Sequence, residues 1–412
     1  MIFQIIIIGD EILSGSIKDF NANYLCTKIT EIGGRVRKIQ FISDDEEEIR
    51  DALGRAENAD FVLVTGGLGP TTNDKTVLCA SVFFNVPLIL YEDALSNIND
   101  FFRKRGIKMP ETNKKQAYFP EGSTTLKNEI GTAPGFKFLR GKTVYFFLPG
   151  VPAEMKKMAD NYLFPEVMRL KGEAVRTVIV KTFGISEAKL DEELEALRES
   201  FRDIKIWTIP AFIEIQIRGT ISGTEAEIEI KEAEFKKALE KAFGHFIFAS
   251  YDEKMEEAVG KLLKGAGKTI AAAESCTGGL IANRITDVPG SSDYFIGSVT
   301  AYSNKAKENI LGVSPLTLKE YGAVSSETAV QMAEGVRRKF NVDIGIATTG
   351  IAGPSGGSDE KPVGTLYFAL SATEGTFSRR YQFEFDRLTY KQIASQIALN
   401  WVRRYLLREI KF

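Results

Sequence analysis

The segment TIAAAESCTGGLIANRI places Ser275 where a strand of small apolar residues gives way to a glycine-containing turn and a helix. A serine there can be a nucleophile, or it can cap the helix, since serine is a preferred N-cap. Gly278 and Gly279 permit close backbone approach. Amides at the helix start, near Ser275 to Thr277, could hold an anion or an oxyanion. Cys276 competes for the nucleophile's part, but one residue into the helix it reads as a small buried hydrophobe. A serine hydroxyl needs a base. The single histidine, His245, sits in GHFIFAS, a buried-strand context that reads as a partly buried scaffold residue. Lysine is the substitute base known from Ser-Lys pairs. TAYSNKAKENILG supplies Tyr302, Lys305 and Lys307. A lysine base must be neutral near pH 7, which requires burial or a cationic neighbour, and a lysine solvated at a helix start would not qualify.

Two further groups of residues suit phosphate chemistry. ATTGIAGPSGGSDEKPVGT carries Thr348, Thr349 and Gly350 at a strand end and runs into a small-residue loop through Gly353. Exposed amides in such a loop can cradle phosphate, although it matches no nucleotide-binding fingerprint and an ordinary surface loop reads the same way. Arg387, in FDRLTY, is a candidate phosphate clamp. TGGLGPTTNDKT brings Gly66, Gly67 and Gly69 after a strand, with Asp74 close behind. Asp74 could hold a divalent cation together with Asp44 or Asp45 of FISDDEEE, as hard cations take a few carboxylates plus phosphate and water. LPGVPAEM adds Glu154 beside a Pro-Gly turn. Each acid alone reads as a helix N-terminal charge worth about 0.3–1 kcal/mol. Three such loops on one sheet edge favour a site.

The elements that must position these residues are legible. IFQIIIIGD (2–10), RVRKIQFIS, ADFVLVTGG and KTVYFFLPG (142–150) read as apolar strands, with helices over 20–33 and DEEEIRDALGRA. Apolar strands alternating with amphipathic helices predict a mostly parallel sheet covered on both faces. Ligands in such sheets bind at the carboxyl ends of the strands, where GDEIL, TGGLGPTTND and LPGVPAEM fall. From residue 172 to 250 a small, highly charged αβ segment follows without a site-like cluster; its charge runs read as solvated helix faces. From 251 to 412 a second α/β pattern begins, with strands KTIAAAES, YFIGSVTAYS, DIGIATTG, TLYFALSA and TFSRRYQFEF. No internal repeat links the two.

The chain has 412 residues, 53 Lys and Arg against 55 Asp and Glu, and a formal net charge of −2. With 44% hydrophobic and 26% charged residues it is of globular composition. The balance of charge and the lack of an aromatic-basic stripe argue against direct nucleic-acid binding. The three cysteines form no CxxC pair, which points away from a zinc module or disulfide framework and toward a reducing compartment. No signal peptide pattern and no apolar run of about 18 residues is present, so a cytoplasmic protein without a membrane span is expected.

Taken together, GDEILSG with DFNANYL, TGGLGPTTND, NEIGTAPGF, LPGVPAEM, AAAESCTGGL, TAYSNKAKENILGV and TTGIAGPSGG resemble the CinA (competence/damage-inducible protein A) family over essentially the whole chain. The resemblance implies a multi-domain α/β protein. Residues 1–171 would form a molybdopterin-binding-like domain acting as a metal-dependent ADP-ribose pyrophosphatase. Residues 172–250 would form a small KH-type α+β domain, and 251–412 a nicotinamide mononucleotide (NMN) deamidase domain. It implies Ser275 as nucleophile, Lys307 as base (Lys305 matching a variable position), and Tyr302 and Thr349 lining the pocket. Thr277, Gly278, Gly350, Gly353 and Arg387 are expected to contact substrate, as are Gly66, Gly67 and Gly69 in the first domain. Asp44 and Asp74 match its acidic positions, for Mg, Mn or Co; the deamidase would need no cofactor. A homodimer is implied. Two departures stand out: Asn73 replaces an aspartate, losing a charge, and Phe385-Asp386-Arg387 stands for Gly-Asp-Arg, with Lys391 where a second arginine is common. Lysine attracts phosphate but not bidentately. Two other readings remain at this point: a non-catalytic pterin- or nucleotide-binding first domain, and a DNA-uptake or recombination accessory.

Overall fold

The computed structural model describes residues 1–172 and 174–410. The chain divides into two compact units. The first is Met1–Thr177 with Asp203–Lys205 and Thr220–Glu234; the second is Val178–Arg202, Ile206–Gly219 and Phe235–Phe412. The expected middle segment is thus shared out between the two. Its strands Ala174–Thr182, Lys205–Ala211, Glu214–Gly223 and Ile247–Ser250 belong to one four-stranded sheet. His245 lies in the turn before Ile247–Ser250, not in a buried strand. Its side chain is 49% exposed and its Nδ1 lies 3.0 Å from Glu409, so the expected scaffold histidine is a surface residue.

The first unit holds a six-stranded sheet in the order Arg35–Ile42, Ile2–Ile8, Phe61–Thr65, Thr143–Leu148, Gly135–Arg140, Thr124–Leu126. The first four are parallel; Gly135–Arg140 runs opposite to them, and Thr124–Leu126 pairs antiparallel with it at the edge. Phe3, Ile5 and Ile7 face one core and Ile6 and Ile8 the other, as strand alternation requires. This explains the unbroken apolar run: both faces are buried.

The second unit repeats the plan with a five-stranded sheet, Phe295–Thr300, Ile270–Glu274, Ile344–Gly350, Thr365–Ala372, Gly375–Gln382. The first three are parallel, Thr365–Ala372 runs opposite to them, and Gly375–Gln382 pairs antiparallel with it. Ala271 and Ala273 pack into one core, Ile270 and Ala272 into another. In both units the second strand in sheet order is the first in the chain, and the chain passes to either side of it in turn. That opens a crevice at the carboxyl ends of the parallel strands, the usual ligand position of such folds.

Candidate functional site

In the second unit three strand ends converge. Ser275 follows Ile270–Glu274, Ala301 and Tyr302 follow Phe295–Thr300, and Thr348 to Gly350 end the third strand. The Ser275 amide donates to the Thr348 carbonyl at 3.0 Å, and the Ala301 amide donates to the Glu274 carbonyl at 2.9 Å. The helix Asn304–Leu311 starts on Ser303, whose Oγ accepts from the Ala306 amide, and ends on Gly312 in the left-handed conformation. One turn separates Lys307 from Leu311, and both face the core. Lys305 points to solvent.

Lys307 is buried, and its Nζ lies 3.1 Å from Ser275 Oγ and 2.8 Å from the Ala301 carbonyl. Burial lowers its pKa from the ordinary lysine value; the neighbouring Cys276 opposes this weakly. No carboxylate among the described residues pairs with it, so nothing restores the charge that desolvation disfavours. The Cys276 thiol is buried and pushed up to about 11, mainly by desolvation. A thiol held that far from ionisation is a poor nucleophile.

Around the pair, Thr277 Oγ1 and Thr348 Oγ1 are hydrogen-bonded at 2.8 Å, and Thr349 Oγ1 donates to the Ala323 carbonyl at 2.7 Å. Arg387, first residue of the helix Arg387–Leu406, donates to the Gly353 carbonyl at 2.9 Å and to the Tyr302 hydroxyl at 2.8 Å. Tyr302 is otherwise exposed. A Cβ on Gly278 would lie 3.5 Å from Lys391 Nζ, which sets that cation against the loop after the nucleophile. A Cβ on Gly350 would meet the Tyr390 hydroxyl at 2.0 Å, so the glycine there is required by packing.

In the first unit a cavity of about 600 Å³ lies at the strand ends, lined by Asp10, Glu11, Asn21, Asp44, Asp74 and Glu154, with the Gly66–Gly69 loop. Asp44 Oδ2 accepts from the Asp10 amide at 3.1 Å. Burial raises the Asp44 pKa, and Asp10, Glu11 and Asp74 raise it further as like charges. Asp74 accepts from the Thr71 amide at 2.8 Å and from its hydroxyl. Glu154 accepts from Asn128 at 2.6 Å, and its own pKa is raised by burial. An excess of carboxylates around one cavity suits a cation. Among the described residues no three His, Cys, Asp or Glu side chains converge to hold a metal. A cation here would therefore be held by two carboxylates, with water and substrate oxygens completing its shell, the pattern Mg²⁺ accepts.

Two families match the chain: the CinA C-terminal domain over residues 252–406 and the probable molybdopterin binding domain over residues 4–169. A CinA-like protein from Geobacter sulfurreducens is 41% identical over 405 residues, covering 97% of this chain and 98% of the relative. A competence-damage inducible relative from Caldanaerobacter subterraneus is 40% identical over 407 residues, covering 98% of each. The chain belongs to the CinA family.

Within this CinA-family chain several expectations are corrected. Ser275 is not a helix cap. The next helix is Leu280–Thr286 and its cap is Gly279; Cys276 likewise precedes the helix. The helix-start amides are not available to an oxyanion, because Gly279, Ile281 and Ala282 all donate to the Glu274 carboxylate. The amides of Cys276 and Thr277 remain as candidates. Asp45 caps the helix Glu46–Arg55 through the Glu47 and Glu48 amides, so Asp44 is the acid that faces the cavity. At Gly67, φ is 67° and a Cβ would lie 2.0 Å from Thr76 Oγ1; packing alone demands glycine there, though the residue also lines the cavity. Glu274, Asp10 and Asn21 received no role from the sequence, although each lies inside a quoted motif. Among the described residues no helix is long and apolar enough to cross a membrane.

Proposed function

We propose that the C-terminal unit hydrolyses the carboxamide of NMN to nicotinate mononucleotide and ammonia, with Ser275 as nucleophile and Lys307 as base. The observation that carries this is the 3.1 Å contact between Lys307 Nζ and Ser275 Oγ in a buried setting. As an ammonium, Lys307 donates to Oγ; as a neutral amine it accepts the hydroxyl proton across the same distance. Oγ then bonds to the carboxamide carbon, and the oxyanion is met by the Cys276 and Thr277 amides. Collapse breaks the C–N bond, and ammonia leaves with the proton from Lys307. Water, deprotonated by Lys307, cleaves the acyl ester and Ser275 recovers its proton. The cationic pyridinium draws electrons from the carboxamide and favours attack. Arg387 and Lys391 suit the phosphate, and Thr349 with the Gly350–Gly353 segment the ribose side. The choice of NMN comes from the family resemblance.

The test is ammonia release from NMN by the purified protein, by Ser275→Ala, and after chelation of metals. Release that survives chelation and disappears in the variant is expected. A variant that keeps the wild-type rate removes Ser275 from the reaction, and an inert wild type removes NMN as substrate.

For the N-terminal cavity we infer hydrolysis of the ADP-ribose pyrophosphate bond. Asp44 and Asp74 would hold a divalent cation (Mg, Mn or Co), which when bound supplies polarisation of the phosphate. The Gly66–Gly69 loop lies along the same wall and would carry phosphate oxygens. If Asp74→Ala leaves metal-dependent cleavage unchanged, the site is misplaced.

A further inference from the structure

The Glu274 carboxylate is fully buried at the end of the strand that delivers Ser275. Its Oε2 accepts from the Gly279 amide at 2.9 Å and the Ile281 amide at 3.0 Å, and its Oε1 accepts from the Ala282 amide at 2.9 Å. No lysine or arginine among the described residues forms an ion pair with it. The buried charge is met by three backbone donors, the last two on the first turn of Leu280–Thr286. Charge-assisted bonds of this kind are about twice as strong as neutral ones.

These bonds close the loop from Ser275 to Gly279 back onto the strand. The closed loop contains the nucleophile, the two candidate oxyanion amides, and Gly278 beside Lys391. The main chain of the same residue reaches the base. The Glu274 carbonyl accepts from the Ala301 amide, and the Ala301 carbonyl accepts from Lys307 Nζ. One residue thus fixes nucleophile and base relative to each other, its side chain holding one and its main chain the other.

We propose that Glu274 is a positioning residue for the Ser275–Lys307 pair. Only a carboxylate fits this task. It presents acceptors alone, whereas a glutamine must turn its NH₂ toward at least one of three amide donors. Glu274 acts through the loop and not on the charge of Lys307. The acid limb of the pH profile therefore stays in place when Glu274 is changed, while turnover falls.

The inference rests on the Ser-Lys reading of the site, and its test is chosen to stand apart from the identity of the substrate. Wild type, Glu274→Gln and Lys307→Met are treated with a fluorophosphonate. Ser275 Oγ bonds to phosphorus as the P–F bond breaks, fluoride leaves, and Lys307 takes the hydroxyl proton. Labelling of Ser275 that is lost in Lys307→Met tests the pair. Labelling slowed at least tenfold in folded Glu274→Gln, with an unmoved pH midpoint, supports the positioning role. On NMN the same variant should lose kcat at least tenfold with KM within threefold. Labelling within twofold of wild type, or a shifted midpoint, overturns the proposal. If Glu274→Gln fails to fold, Glu274→Asp keeps the charge and shortens its reach. The same slowing is expected there, and wild-type labelling overturns the proposal equally.

Discussion

Lys307 Nζ sits 3.1 Å from Ser275 Oγ, and among the described residues no carboxylate pairs with it, so burial is the larger influence on the protonation of this lysine, with Cys276 opposing it. Its folded-state pKa lies below the ordinary lysine value. Deamidation should rise with pH through that depressed pKa, as neutral amine replaces ammonium. Stability has a matching sign. Between the depressed and the ordinary value the folded protein binds fewer protons than the unfolded chain, so stability rises with pH in that window. Lys307→Met, of similar length, should lower kcat/KM by about 10²–10⁴. Its thermal midpoint should exceed that of wild type most at low pH, with the gap closing as pH rises. Thermal melts across pH, beside NMN rate profiles, check both; a gap that widens with pH would contradict the assignment.

Arg387 joins the Gly353 carbonyl to the Tyr302 hydroxyl, which couples the tyrosine to the residues proposed above to meet the substrate phosphate. Hydrogen bonds to charged groups contribute about 1.5–3 kcal/mol, so Arg387→Ala should raise the KM for NMN roughly 10- to 100-fold. Tyr302→Phe should cost less alone, and the double variant less than the two together, because each single change already breaks their shared bond. Additive effects in the four-way KM comparison would show that the two act independently.

The sheet architecture was readable because its evidence is periodic: continuous apolar strands betray a sheet buried on both faces, and small residues at 271–273 betray close packing. Ser275 and Lys307 were readable as chemical types, and helical spacing explains why Lys307 and not Lys305 turns inward, sharing a face with Leu311. Glu274 was hidden by its neighbours. An acid before a serine looks like a strand end, and its three donors lie five to eight residues on, in a helix that starts later than the glycines suggest. The Gly67 conformation was likewise ambiguous, since a residue against Thr76 and a residue beside phosphate both call for glycine. His245 was misread because the apolar stretch GHFIFAS extends one turn beyond the strand itself.

Asp44 and Asp10 lie side by side at the first-unit cavity, each side chain accepting from the other's backbone amide, with Glu11 and Asp74 adding like charge. A bound divalent cation would relieve that repulsion. Saturation to about 100 times Kd should stabilise the protein by about 2.7 kcal/mol. Adding Mg²⁺ or Mn²⁺ should therefore raise the melting midpoint of the transition that reports the first unit. Asp44→Asn should abolish that rise while leaving the metal-free midpoint equal or higher. Scanning calorimetry with and without metal reads both; a shift that persists in Asp44→Asn would place the cation elsewhere.

Cys276 adjoins Ser275 and would be the natural rival if the site used a thiol. Its thiol is buried and pushed up to about 11, so at pH 8 roughly one molecule in a thousand carries the thiolate that reacts. The Tyr390 hydroxyl, which donates to the Thr365 carbonyl at 2.8 Å, closes the same apolar cluster over it. Cys276→Ala should therefore keep kcat within about threefold of wild type, losing on the order of 1 kcal/mol of stability from the vacated volume. Iodoacetamide at pH 8 should leave deamidation intact. Should the alanine variant lose activity as Ser275→Ala does while remaining folded, or should alkylation at Cys276 keep pace with inactivation, the nucleophile would have to be reassigned to sulfur and Lys307 to the role of its counter-ion.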